Sequence, residues 1–163
     1  MRGEKKRVLC YIVAFTYTLI LASHLEAATL TVGSESGSPG DKNISVPIDL
    51  TSASGEKVCG FNFDLNFDPS RVSFKELTLS SAAVNADKSL SHSQPKPNTV
   101  RVIVIGFNQN VIGDGTVLIF TFDIFDKAPG GKAELTINKT SVSDPKGKPL
   151  PVNTKNGELL VVK

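Results

Sequence analysis

Gly60-Phe61-Asn62-Phe63-Asp64-Leu65-Asn66-Phe67, halted by Asp68-Pro69-Ser70, is the stretch whose reading decides the fold. Side chains alternate faces along a strand. Phe61, Phe63, Leu65 and Phe67 therefore make one apolar face, and Gly60, Asn62, Asp64 and Asn66 make a small or polar one. Proline locks φ and aspartate bonds its own backbone, so Asp68-Pro69-Ser70 ends the strand in a turn. Such a strand belongs to a sheet that packs on one side and is open on the other.

Working outward, short strand candidates separated by turn residues recur along the chain, at 29–32, 44–50, 72–79, 99–107, 116–125, 133–138 and 158–162. Pro47 lacks a ladder donor and is expected at an edge or on an unpaired side of its strand. Residues 80–98 are polar and carry Pro95 and Pro97. They read as a long connection with one short strand near 89–93. Gly113-Asp114-Gly115 and Pro129-Gly130-Gly131 supply turn chemistry, and Pro145, Gly147, Pro149 and Pro151 keep the approach to the last strand irregular. No amphipathic helix longer than a turn or two is evident. The expected fold class is all-β, a two-sheet sandwich or jelly roll of eight or nine strands.

The strand at 99–107 is apolar on both faces. Ile103, Ile105 and Phe107 are the bulkier set and are assigned to the core. Val102, Val104 and Gly106 then face outward, leading to Asn108. A central strand buried on both faces is the alternative.

The first residues stand apart from this pattern. Arg2, Lys5, Lys6 and Arg7 precede an uncharged apolar run, residues 8–22, and Leu25-Glu26-Ala27 offers a cleavage position. That is the plan of a secretory signal peptide, expected to span residues 1–27 and to leave one domain at 28–163. The run is shorter than the roughly 20 residues a membrane-spanning helix needs. Its loss removes four of the 18 basic and two of the 16 acidic residues, so the remaining domain is neutral. Neutrality gives no reason to expect nucleic acid or an anionic membrane as a partner. Cys59 is then the single cysteine, read as a small buried side chain rather than half of a disulfide. Both tyrosines, Tyr11 and Tyr17, depart with the signal, and there is no tryptophan.

These features resemble a cohesin domain, the receptor module that captures dockerins in cellulase assemblies. The resemblance is carried by Leu30-Thr31-Val32-Gly33 followed by Gly37-Ser38-Pro39-Gly40-Asp41, and by Val46-Pro47-Ile48. It continues through Gly60 to Pro69 and through Gly113-Asp114-Gly115 before Leu118-Ile119-Phe120. It implies a nine-stranded jelly-roll β-sandwich whose first and last strands lie side by side. It also implies a dockerin-like helical partner, carrying its own calcium, held on the face of the third, fifth, sixth and eighth strands. By position, the contacts would be Asn62, Asp64 and Asn66 on the third strand. On the sixth they would be Val102, Val104 and Gly106, with Asn108 and Gln109 at its end. The chain departs from the family's best-known members at Gly60, where they carry a polar group, and in lacking tyrosine on the contact face.

Other functions find less support in the residues. Carbohydrate platforms stack sugar rings on tryptophan or tyrosine, whereas Phe61, Phe63, Phe67, Phe120 and Phe122 stand at core positions. Direct polysaccharide binding is therefore the alternative to a non-catalytic protein-binding module. His92 is the one histidine outside the signal and has no nucleophile-elbow motif around it. Asp41, Asp68 and Asp114 sit in turns without a calcium-loop pattern, and Glu134 and Asp144 lack paired-carboxylate context. No catalytic residue, cofactor or metal site is expected.

Overall fold

The computed structural model describes residues 27–163, so the signal-peptide reading of residues 1–27 falls almost wholly outside the described residues. The chain runs β1 (Ala28–Val32), β2 (Glu35–Gly37), β3 (Ile44–Thr51), β4 (Gly60–Asn66), β5 (Val72–Leu79) and α1 (Ser81–Asn85). It continues as β6 (Ser89–Lys96), β7 (Thr99–Ile105), β8 (Gly115–Ile124), β9 (Gly131–Ser143), β10 (Pro149–Leu150), β11 (Val152–Lys155) and β12 (Gly157–Val161). One sheet has the order β11-β1-β3-β8-β5. The other has β2-β12-β9-β4-β7-β6, with β10 added against β9. This is the expected all-β sandwich. The count exceeds nine because the short segments β2, β10 and β11 pair separately.

The core lies between the sheets and is built mainly from alternate residues of the strands. Phe61, Phe63 and Leu65 on β4 face Phe120, Phe122 and Ile124 on β8, all at most 2% exposed. Phe63 meets Phe120 with ring centroids 6.3 Å apart, and Phe67 meets Phe122 edge-on at 5.4 Å. Each such ring contributes about 1.5–3 kcal/mol by leaving water. The turn after β4 forms as read, with the Ser70 amide and hydroxyl both donating to Asp68 Oδ1.

The two ends of the domain close it together. β1 pairs in parallel with β11 in one sheet, and β2 pairs in parallel with β12 in the other. Both segments therefore switch sheets at the same point, where their backbones nearly touch. A Cβ on Gly157 would stand 2.0 Å from the Gly33 carbonyl oxygen, so only glycine fits. Pro47 lies inside the sheet on β3, but opposite Gly33, just past the last β1 pair. Its missing donor therefore costs no ladder bond.

Two segments differ from expectation. The connection 80–98 contains α1 and an eight-residue edge strand, β6, whose polar composition reflects an edge exposed along its length. Strand β9 runs on to Ser143 because a bulge absorbs the polar Asn138-Lys139 pair, with Lys139 at φ 52°. His92 lies in β6, its ring edge-on to Phe74 at 5.8 Å. Among the described residues no helix is long and apolar enough to cross a membrane.

Candidate functional site

The outer face of the four adjacent strands β9-β4-β7-β6 carries the candidate site. Directly opposed residues share a face, so register alone builds three cross-strand rows. The first is Ser141–Asn62–Ile103–Ser91, the second Asn138–Asp64–Arg101–Ser93 and the third Thr136–Asn66–Thr99–Lys96.

The same register overturns the expected orientation of β7. Phe61 opposes Val104 and Phe63 opposes Val102, so the phenylalanines commit both valines to the core, where each is 0% exposed. Val102 and Val104 therefore present no side chain to a partner. Ile103 and Ile105 face outward at 38% and 53% exposure, and Phe107 beyond them is fully exposed. Side-chain size misled because β4 already fills this part of the core with two rings, leaving room for valine beside them. The usable signal was Arg101. It shares its parity with Ile103 and Ile105, and a charged side chain marks the solvent face.

The polar positions on β4 have unequal roles. Asn62 is exposed and makes no side-chain hydrogen bond with the described residues. Asp64 faces outward yet is only 5% exposed, because Arg101 Nε and Nη2 grip its two oxygens at 2.8 and 2.9 Å. The β9 bulge brings Lys139 Nζ within 3.4 Å of the same carboxylate. These hydrogen bonds, Arg101's foremost, hold the Asp64 carboxyl below its usual range against the opposing effect of burial. Asn66 accepts a 2.8 Å bond from the Thr99 hydroxyl.

Of the remaining expected contacts, Gly106 and Asn108 hold loops together. A side chain on Gly106 would stand 3.0 Å from both the Asp87 carbonyl and Asn108 Nδ2, so Gly106 lets two loops approach closely. Asn108 fastens them. Its Oδ1 accepts from Lys88 Nζ at 2.8 Å and from the Asn110 amide at 3.0 Å, while its Nδ2 donates to the Asp87 carbonyl. Gln109 is exposed but lines a separate groove with residues 55–57 and 144–146.

The face thus offers an apolar strip, Ile103–Ile105, ending at Phe107. Serines from the edge strand flank it on one side, and the unengaged amide of Asn62 on the other. A charged carboxylate, Asp64, paired with two cations lies one row away. Non-directional apolar contact with one free amide for register suits the capture of an amphipathic surface. Among the described residues no three His, Cys, Asp or Glu side chains are grouped to hold a metal ion.

The family model for the Cohesin domain matches residues 28–161, nearly all of the described chain. No curated protein sequence matches. Among solved structures, the chain is similar to the sixth cohesin of Acetivibrio cellulolyticus scaffoldin B, solved in complex with a mutant Cel5 dockerin. The two share 19% identity over 84% of this chain and 100% of that one, with a TM-score of 0.75. It is also similar to a cohesin of Clostridium acetobutylicum, at 23% identity over 84% and 92% of the two chains and a TM-score of 0.73. A third similar structure is the non-cellulosomal cohesin of the archaeon Archaeoglobus fulgidus, at 22% identity over 85% and 93%, with a TM-score of 0.71.

Proposed function

The chain belongs to the cohesin domain family, and we propose that it is a non-catalytic receptor whose β9-β4-β7-β6 face captures a dockerin-like helical module. The observation that carries this reading is the pair Ile103 and Ile105, exposed side by side on an otherwise polar sheet face. Exposed isoleucines scattered singly need no explanation, whereas a contiguous strip with a free amide beside it suits a partner surface. A helix laid across the strands would place apolar side chains against Ile103 and Ile105, with Phe107 at the margin. Asn62, Ser91 and Ser141 would set its register. Asp64 and Asn66 support this face from within its own hydrogen-bond network, and any calcium belongs to the partner.

The leader pattern read in the sequence at 1–27 supports capture outside the cytoplasm, in a polysaccharide-degrading or surface assembly. Direct polysaccharide binding finds less support, because Phe61, Phe63, Phe67, Phe120 and Phe122 are all in the core, and the exposed rings among the described residues, Phe107 and Phe125, lack the polar edge of tryptophan or tyrosine.

The test is titration calorimetry of the protein against the dockerin-bearing chains encoded by its own genome. Ile103→Asp combined with Asn62→Ala is expected to weaken capture at least about 100-fold, the loss of a central contact and its register bond. Unchanged affinity in this variant would remove the face from consideration.

A further inference from the structure

At the start of β4, beside the apolar strip but outside it, Cys59 and Lys88 form a contact that the binding reading does not use. Lys88 is only 6% exposed, and its ammonium makes no ion pair with any described residue. Its polar neighbours are Asn108 Oδ1 at 2.8 Å and Cys59 Sγ at 3.2 Å. Burying a cation without a counter-charge is costly, and here one amide oxygen and one sulfur stand in for a carboxylate. Cys59 is 9% exposed, and its thiol also faces the Asn108 carbonyl at 3.6 Å, so its surroundings are polar rather than an apolar wall.

We propose that Cys59 and Lys88 are a modification site at which a peroxide drives formation of a direct sulfur–nitrogen crosslink. In the first step the Cys59 sulfur attacks one peroxide oxygen. The S–O bond forms, the O–O bond breaks, and the second oxygen leaves as water with the thiol proton, giving the sulfenic acid. Lys88 then releases one ammonium proton to solvent and its amine attacks the same sulfur. The S–N bond forms and the S–O bond breaks. The departing hydroxide takes one proton from nitrogen and leaves as a second water. Sulfur loses two electrons and the peroxide gains them; besides the ammonium proton given to solvent, the chain loses two hydrogens.

Geometry favours this outcome over further oxidation. The attacking nitrogen already stands within the roughly 3–3.5 Å separation of a reactive encounter. The product is neutral, so the reaction removes the uncompensated buried charge. It also ties the entry of β4 to the turn before β6, at the two strands that flank Ile105. A thiol reductant reverses it, two reductant thiols forming a disulfide as Cys59 and Lys88 regain their hydrogens.

The test is intact mass and peptide mapping of the purified protein after hydrogen peroxide treatment, before and after a thiol reductant. The expected result is a reversible loss of about 2 Da, mapped to a linkage between the peptides holding Cys59 and Lys88. It should be absent in Cys59→Ser and in Lys88→Arg, which keeps the charge but not the attacking amine. A gain of about 14 Da, which retains one oxygen, or oxygen adducts on Cys59 alone would overturn the direct bond. A disulfide between two chains, or an unaltered mass in the wild-type protein, would overturn it equally. None of these readings depends on whether the sheet face binds a partner.

Discussion

Arg101 holds Asp64 across the β4–β7 boundary through two parallel hydrogen bonds of 2.8 and 2.9 Å, and this fork keeps a carboxylate charged on a face where it is 5% exposed. Its folded pKa lies below the unfolded value, so the unfolded chain takes up the proton first as the solution is acidified. The stabilisation is therefore complete above the ordinary aspartate range, near about pH 4, and is lost as pH falls through the depressed folded value. Arg101→Gln removes the largest cause of the depression. The Tm difference between wild type and this variant should be widest at neutral pH and should shrink steadily in acid. A difference that grows as pH falls would contradict the assignment, and a carboxyl NMR titration of Asp64 checks it directly.

Adjacent positions on β7 should respond in opposite ways to the same change. Val104→Asp buries an unpaired charge among Phe61 and its neighbours and should cost more than about 3 kcal/mol. Ile103→Asp sits on the open face and should cost less than about 1 kcal/mol. Urea unfolding of both variants distinguishes them. Equal losses would mean that the outward parity of Ile103 is wrong.

Gly157→Ala forces a methyl group to within 2.0 Å of the Gly33 carbonyl oxygen and 2.7 Å of the Val32 carbonyl oxygen, both of them backbone atoms. Neither crossing segment can yield without breaking the β1–β11 or β2–β12 pairing. The expected loss is about 2 kcal/mol or more, which in a domain of this size lowers Tm by several degrees. A control at Gly113, where an added Cβ meets nothing within 4 Å, should change Tm little.

Asn108→Ala removes the acceptor of a buried ammonium together with two loop bonds. Leaving Lys88 with sulfur as its remaining polar neighbour should cost about 2–3 kcal/mol. Hydrogen exchange should rise at the amides of Lys88 and Asn110 before it rises in β4. Protection unchanged at both would show that Asn108 does not fasten these loops.

Part of this was legible from residues alone. On β4 the alternation of Phe61, Phe63, Leu65 and Phe67 with Asn62, Asp64 and Asn66 admits one reading, because the two faces differ in kind. The Asp68 turn needed only local hydrogen bonding, and the order of strands and turns identified the sandwich. On β7 the faces differ only in the size of aliphatic side chains, and size does not say which neighbour has already filled the space. The single charge of Arg101 held the answer but was outweighed by the apolar run that follows it.

Amphipathic strands, turns and their order were thus determined by the sequence itself, since each depends on residues close along the chain. Tertiary structure decided what depends on register. Pairing with Phe61 and Phe63 turned Val102 and Val104 inward and left Ile103 and Ile105 exposed. A bulge at Lys139 carried β9 across a polar pair and delivered a second cation to Asp64. Two distant loops gave Gly106 and Asn108 a structural role that their positions in the sequence do not show. The physical reason is that a one-residue choice of pairing reverses every side chain on a strand, and that choice is made by the neighbouring strand's volume.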